Sequence, residues 1–195
     1  MKNDIEILET KFKEFLSMPN KTKEIVEEQE KISIELENKL NNEMAGLINE
    51  LSLIGINIIS IWDLVNTKKK YPQAIPILIE HLLKPYHEKN IEGIVRALAV
   101  KESKNKAVPV LIQLYNNLSK ERMLLRWTIG NTICSIVTEA DVEKIIPIVQ
   151  DSTNGMSRQM FVLALGKFKN EKIVNILNRL LNEPEIAMHI KTALK

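Results

Sequence analysis

Three arginines and a tryptophan carry most of the chemistry this chain offers. Arg122 and Arg126 stand one helical turn apart, Trp127 follows directly, and Arg96 occupies a similar helical stretch upstream. A guanidinium is a planar fork of donors that matches a carboxylate or phosphate, and arginine and tryptophan are enriched where binding energy concentrates. The chemistry is recognition of a partner, with Arg96, Arg122, Arg126 and Trp127 as the candidate contact residues. Against it, Glu92 sits four residues before Arg96 and can absorb it as an intrahelical pair. Trp127 aligns with Ile94 of the preceding repeat, which suits a core position.

The other reactive residue types form no constellation. His81, His87 and His189 are scattered, and no His-x3-His, Cys-x2-Cys or His-Glu-x-x-His spacing gathers them around a metal. They read as helix-end or surface histidines. Cys134 is the one cysteine, set among Ile133, Ile136 and Val137, and reads as a small buried hydrophobe. It cannot staple the chain, which suits a reducing compartment. Paired carboxylates such as Glu27 and Glu28 lie in an acidic, solvated stretch, and no glycine-rich phosphate cradle is present. The expectation is a chain without catalytic residues, cofactor or metal.

The elements that position the arginines are read from a phrase that returns three times. Ala74-Ile75-Pro76-Ile77-Leu78, Ala107-Val108-Pro109-Val110-Leu111 and Ile145-Ile146-Pro147-Ile148-Val149 recur at intervals of roughly 33 and 38 residues. Proline is tolerated in a first helical turn, where its missing N–H would have had no partner, so each phrase predicts a helix start. Second helices are predicted over 90–101, 119–137 and 157–167, with small residues at Ala97, Gly130 and Ala164 where two helices can approach. Leu98 and Leu163 are expected in the inter-repeat core. A last unit, Ile173 to Leu177, has Asn175 where proline stood, as suits a terminal repeat facing water. Composition agrees with helix: 45% hydrophobic, 27% charged, 5% aromatic and only 6 glycines.

Residues 1–43 differ from the rest. They carry 7 lysines against 11 acidic residues, leaving 20 of the 27 basic and 14 of the 25 acidic residues for 44–195. Ile5, Leu8, Phe12 and Phe15 share one helical stripe that stops near Pro19, and Thr22 can cap a second helix bearing Ile25, Ile32, Leu36, Leu40 and Leu47. An acidic hairpin arm follows, closing on its own body or joining two copies as a homodimer. Gly55 is placed to end the helix after it. No apolar run is long enough for a bilayer or a signal segment, which predicts a cytoplasmic protein without membrane contact.

The proline-led starts at Pro76, Pro109 and Pro147, the paired-helix period and the Ala97, Gly130 and Ala164 positions resemble HEAT repeats over about residues 60–195. More narrowly, Trp62-Asp63-Leu64-Val65-Asn66, Tyr71 and Ile91 to Leu98 are similar to small bacterial HEAT-like proteins of unassigned role. The resemblance implies an all-α, right-handed α-solenoid with an N-terminal helical arm, whose second helices line a concave surface. It implies a non-catalytic protein-binding module, of the kind that serves as an inhibitor or neutralising factor in bacterial or phage conflict. The alternative it implies is a nucleic-acid binder related to alkylbase DNA glycosylases. For that reading Trp62, Asp63, Arg126 and Trp127 are the only suitable pieces. On either reading, reversing all three arginines is expected to spare the fold and harm binding.

Overall fold

The computed structural model describes residues 2–195, with side chains from Asp4 onward; Met1 of the arm lies outside the described residues. Among them are twelve α-helices, four short 3-10 turns and no strand. Helix α1 (Lys2–Ser17) and α2 (Lys23–Glu43) pack against each other as a hairpin, burying Ile5, Phe15, Ile32 and Leu36. The Thr22 hydroxyl accepts the Ile25 N–H at 3.4 Å and starts α2, as the sequence predicts.

The hairpin is held by its own body. Glu43 Oε2 accepts the His87 N–H and the Asn90 side-chain amide, each at 2.8 Å. The same amide donates to the Leu40 carbonyl at 2.9 Å, and Glu9 lies 3.3 Å from the Lys89 ammonium. Asn90 is buried, and its loss removes the donor to the Leu40 carbonyl and one of the two to Glu43. Asn90→Ala is expected to cost about 1–3 kcal/mol in urea unfolding, with the midpoint reduced by the same amount whether the probe is global circular dichroism or a reporter in the arm.

Helix α3 (Ala45–Leu53) continues from α2 through the buried Met44. It ends where the sequence places its stop. Gly55, at φ +80°, donates its N–H to the Ser52 carbonyl, and the next N–H, of Ile56, reaches back to Leu51, both at 2.9 Å. Helix α4 (Ile61–Asn66) is opened by Ser60 and Asp63 in a reciprocal cap.

The remaining helices are α5 (Ile75–His81), α6 (Glu88–Ala97), α7 (Val108–Asn117), α8 (Met123–Ile136), α9 (Val142–Gln150), α10 (Gln159–Leu165), α11 (Glu171–Arg179) and α12 (Ala187–Ala193). Pro76 and Pro109 sit in the first turns of α5 and α7, where the recurring phrase predicts them. Pro147 does not. It lies inside α9, which starts five residues earlier because Thr138 and Asp141 cap the preceding 3-10 turn. The predicted second helices are also shortened: Ser119 to Arg122 form a turn before α8, and α6 is started by the His87 side chain and stops at Ala97.

These second helices touch in series, α4 on α6, α6 on α8, α8 on α10 and α10 on α12. Thr132 donates to the Val95 carbonyl at 3.0 Å across the α6–α8 contact. One apolar cluster runs from Met44 to Ala193, and Ala97, Gly130 and Ala164 are all buried within the stack. Leu98 is fully buried, whereas Leu163 is only partly so. No described helix is long and apolar enough to cross a membrane.

Candidate functional site

The four residues singled out by type are separated by the fold. Arg96 bonds Glu92 within α6, Nε to Oε1 at 2.7 Å, the pair its spacing suggests. Arg122, just before α8, is exposed and hydrogen-bonds Glu88 in the first turn of α6. Trp127 is half-buried, and its indole N–H meets Gln159 Oε1 at 3.3 Å, linking α8 to α10. Arg96 and Arg122 therefore present neutralised rather than free cations.

Arg126 overturns the expectation of an arginine face. It is 2% exposed, with Nη1 donating to the Tyr115 and Leu118 carbonyls at 2.7 and 3.0 Å. Nη2 reaches Asn154 Oδ1 at 2.6 Å, and the guanidinium carbon lies 3.8 Å from the Tyr115 ring centroid. The side chain closes the end of α7, whose last carbonyls lack intrahelical donors, and ties it to the next unit's turn. Reversing its charge would place a carboxylate among carbonyls, so the three-arginine reversal is not neutral to the fold.

Arg158 repeats this arrangement 32 residues later. It is wholly buried, donates to the Val149 carbonyl at the end of α9 at 3.1 Å, and reaches Glu183 and Glu185 in the following turn at 2.6 and 3.1 Å. Both arginines are buried and cap the carbonyl end of a preceding helix, Arg126 from within α8 and Arg158 from just before α10. Arg126 follows Pro109 by 17 residues and Arg158 follows Pro147 by 11, so their correspondence is visible in their contacts and not in their offset from the proline phrase.

The same interval produces an exposed row. Leu124 in the first turn of α8, Met156 in the turn before α10 and Met188 in the first turn of α12 are spaced 32 residues apart. They are 67%, 46% and 76% exposed, and Met123 is exposed beside them. Large apolar side chains left in water at this regular interval, at the starts of α8 and α12 and in the turn before α10, form a candidate contact surface.

Compared with known proteins, the chain matches no family model, no curated protein and no solved structure.

No described group of three or more His, Cys, Asp or Glu side chains is placed to hold a metal ion. His81, expected at a helix end or surface, is in the last turn of α5 but buried: Nδ1 lies 2.6 Å from the Tyr86 hydroxyl and Nε2 3.0 Å from Glu50. That cluster ties α3, α5 and the loop before α6. Burial, then the carboxylates of Glu50 and Glu43, push the Tyr86 phenol up and keep it protonated. Burial also pushes the Cys134 thiol up against the opposing influence of Lys167. The thiolate is the nucleophile, so this cysteine is set against reaction at neutral pH.

Proposed function

We propose that the chain is a non-catalytic protein-binding module, a short right-handed solenoid of HEAT-like helix pairs that holds its partner along the exposed row of Leu124, Met156 and Met188. The row is the observation that carries the reading. Three flexible or branched apolar side chains exposed at a regular interval offer an adaptable surface, and thioethers repack readily against varied partners. The series of helix contacts from α4 to α12 and the matching helix-end contacts of Arg126 and Arg158 support the repeat architecture. The glutamate pairing of Arg96 and Arg122 removes free cations that phosphate recognition would use, which favours protein over nucleic acid.

The test compares the parent with a Leu124→Glu, Met156→Glu, Met188→Glu variant in affinity capture, with and without nuclease. Exposed substitutions leave stability nearly unchanged, while loss of central apolar contacts is expected to weaken a partner complex by about tenfold or more. A partner retained equally by both chains sinks this reading. One lost on nuclease treatment favours a nucleic-acid bridge instead.

A further inference from the structure

Arg126 lacks the direct carboxylate partner that Arg158 possesses. A cavity of about 380 Å³ opens beside the end of α7 and the end of α9, lined by Arg126, Lys120, Lys144, Asn116, Asn154 and Asp151 among others. Arg158 meets two carboxylates, Glu183 and Glu185. Arg126 meets only neutral acceptors: two backbone carbonyls and the Asn154 amide oxygen. Of its five N–H groups three have protein acceptors, so donor capacity is left over.

A buried cation without an anionic partner is unusual, because removing charge from water is costly unless an opposite charge compensates. Its two lysine neighbours are themselves paired. Lys120 points at the same Asn154 oxygen, 2.7 Å away, while also engaging Asp151 at 3.2 Å and Thr153 at 2.6 Å. Lys144 stands at the rim, with Asp141 at 3.3 Å. The Asp151 carboxyl, held below its ordinary range first by the Thr153 hydroxyl and also by Lys120, is already committed to those two groups. Of the three cationic side chains that line or rim the cavity, Lys120 is paired with Asp151 and Lys144 with Asp141, which leaves Arg126 as the one without a carboxylate partner.

We propose that this cavity is a carboxylate-binding site, in which a ligand carboxylate takes the place beside Arg126 and Lys120 that Glu183 and Glu185 take beside Arg158. The fold itself supplies the precedent for a carboxylate. The site is separate from the apolar row and does not depend on it. The carboxylate comes either from a small free acid or from an acidic side chain of a protein segment.

The test uses the full chain labelled with ¹⁵N, at constant ionic strength, titrated with sodium acetate and separately with an end-blocked tripeptide containing one central aspartate. The five arginine Nε–H resonances are followed. Saturable movement of the Arg126 signal alone is expected, with an acetate dissociation constant on the order of 1 mM. Tighter binding of the peptide assigns the source to protein; equal or weaker binding assigns it to a free acid. Lys144→Ala removes a rim cation and leaves Asp141 uncompensated there, and should weaken binding about fivefold. Asn154→Asp, which places a carboxylate in the site from within, should abolish it. No saturable shift, equal shifts at all arginines, or undiminished binding by either variant overturns the proposal. Should Asn154→Asp fail to fold, the exposed Lys144→Ala variant still decides. Because the readout needs no partner, its failure is distinct from failure of the capture experiment, and the Leu124→Glu, Met156→Glu, Met188→Glu chain should bind acetate like the parent.

Discussion

Arg158→Ala is expected to lower the free energy of unfolding by about 3–5 kcal/mol, among the largest losses available to a single substitution in this chain. The side chain is wholly buried, and its Nε and Nη1 satisfy the Gly155 and Val149 carbonyls at 3.1 Å each. Truncation leaves those acceptors without their donor and opens a void the size of the whole side chain beyond Cβ. The glutamates contribute less to the loss than their short distances suggest. Glu183 and Glu185 are 30% and 46% exposed, so both regain water when the arginine goes. Arg158→Met separates the terms: it refills much of the volume without restoring a donor, and should recover only part of the stability. For a chain of this length the alanine variant should melt about 10 °C below the parent. A loss under about 1 kcal/mol in urea unfolding would show that the helix-end carbonyls are satisfied some other way.

This expectation also marks where sequence reasoning stops. An arginine on a helix reads as exposed because charged side chains are almost never fully buried unless paired, and the acceptors that bury Arg126 come from Tyr115, Leu118 and Asn154, on other elements. The local pair of Arg96 with Glu92 was legible because four residues on a helix bring the two side chains together. The starts at Pro76 and Pro109 were legible for the same local reason, and so was the Gly55 stop. Pro147 misled because proline marks a helix start only when no stronger cap precedes it. Here Thr138 and Asp141 cap the turn ahead of α9, and that pattern was equally present in the sequence. His81 shows the opposite case. Of its partners Tyr86 is five residues on, but Glu50 is 31 residues away on α3, which no local pattern announces. The apolar row was hidden because its 32-residue spacing departs from the 33 and 38 of the proline phrases, Pro147 lying inside α9 rather than in its first turn.

Gly130 and Phe161 should behave as one unit. They meet where α8 crosses α10, and a Cβ built on Gly130 would lie 2.9 Å from Phe161 Cε2 and 3.2 Å from Met160 Cβ. Helical glycine costs about 1 kcal/mol relative to alanine, so Gly130→Ala would stabilise an unobstructed helix. Here the clash reverses the sign. Phe161 is fully buried and held edge-on by Tyr115, with ring centroids 4.9 Å apart, and cannot swing aside without disturbing the Arg126 stack on the same tyrosine. Gly130→Ala alone should therefore cost about 1–3 kcal/mol. Phe161→Ala alone should cost about 3–5 kcal/mol through the cavity it leaves. In that second background the obstruction is gone and only the close Met160 contact remains. Adding Gly130→Ala should then be neutral or mildly stabilising, a coupling of about 1–3 kcal/mol in a double-mutant cycle. Strict additivity would mean that the glycine is there for a reason other than the approach of α10. Gly93 and Gly166 make matching approaches to Ile61 and Ala193, on α4 and α12. The same cycle at Gly93 and Ile61 should yield coupling of the same sign if the stack is governed throughout by how closely successive second helices can come together.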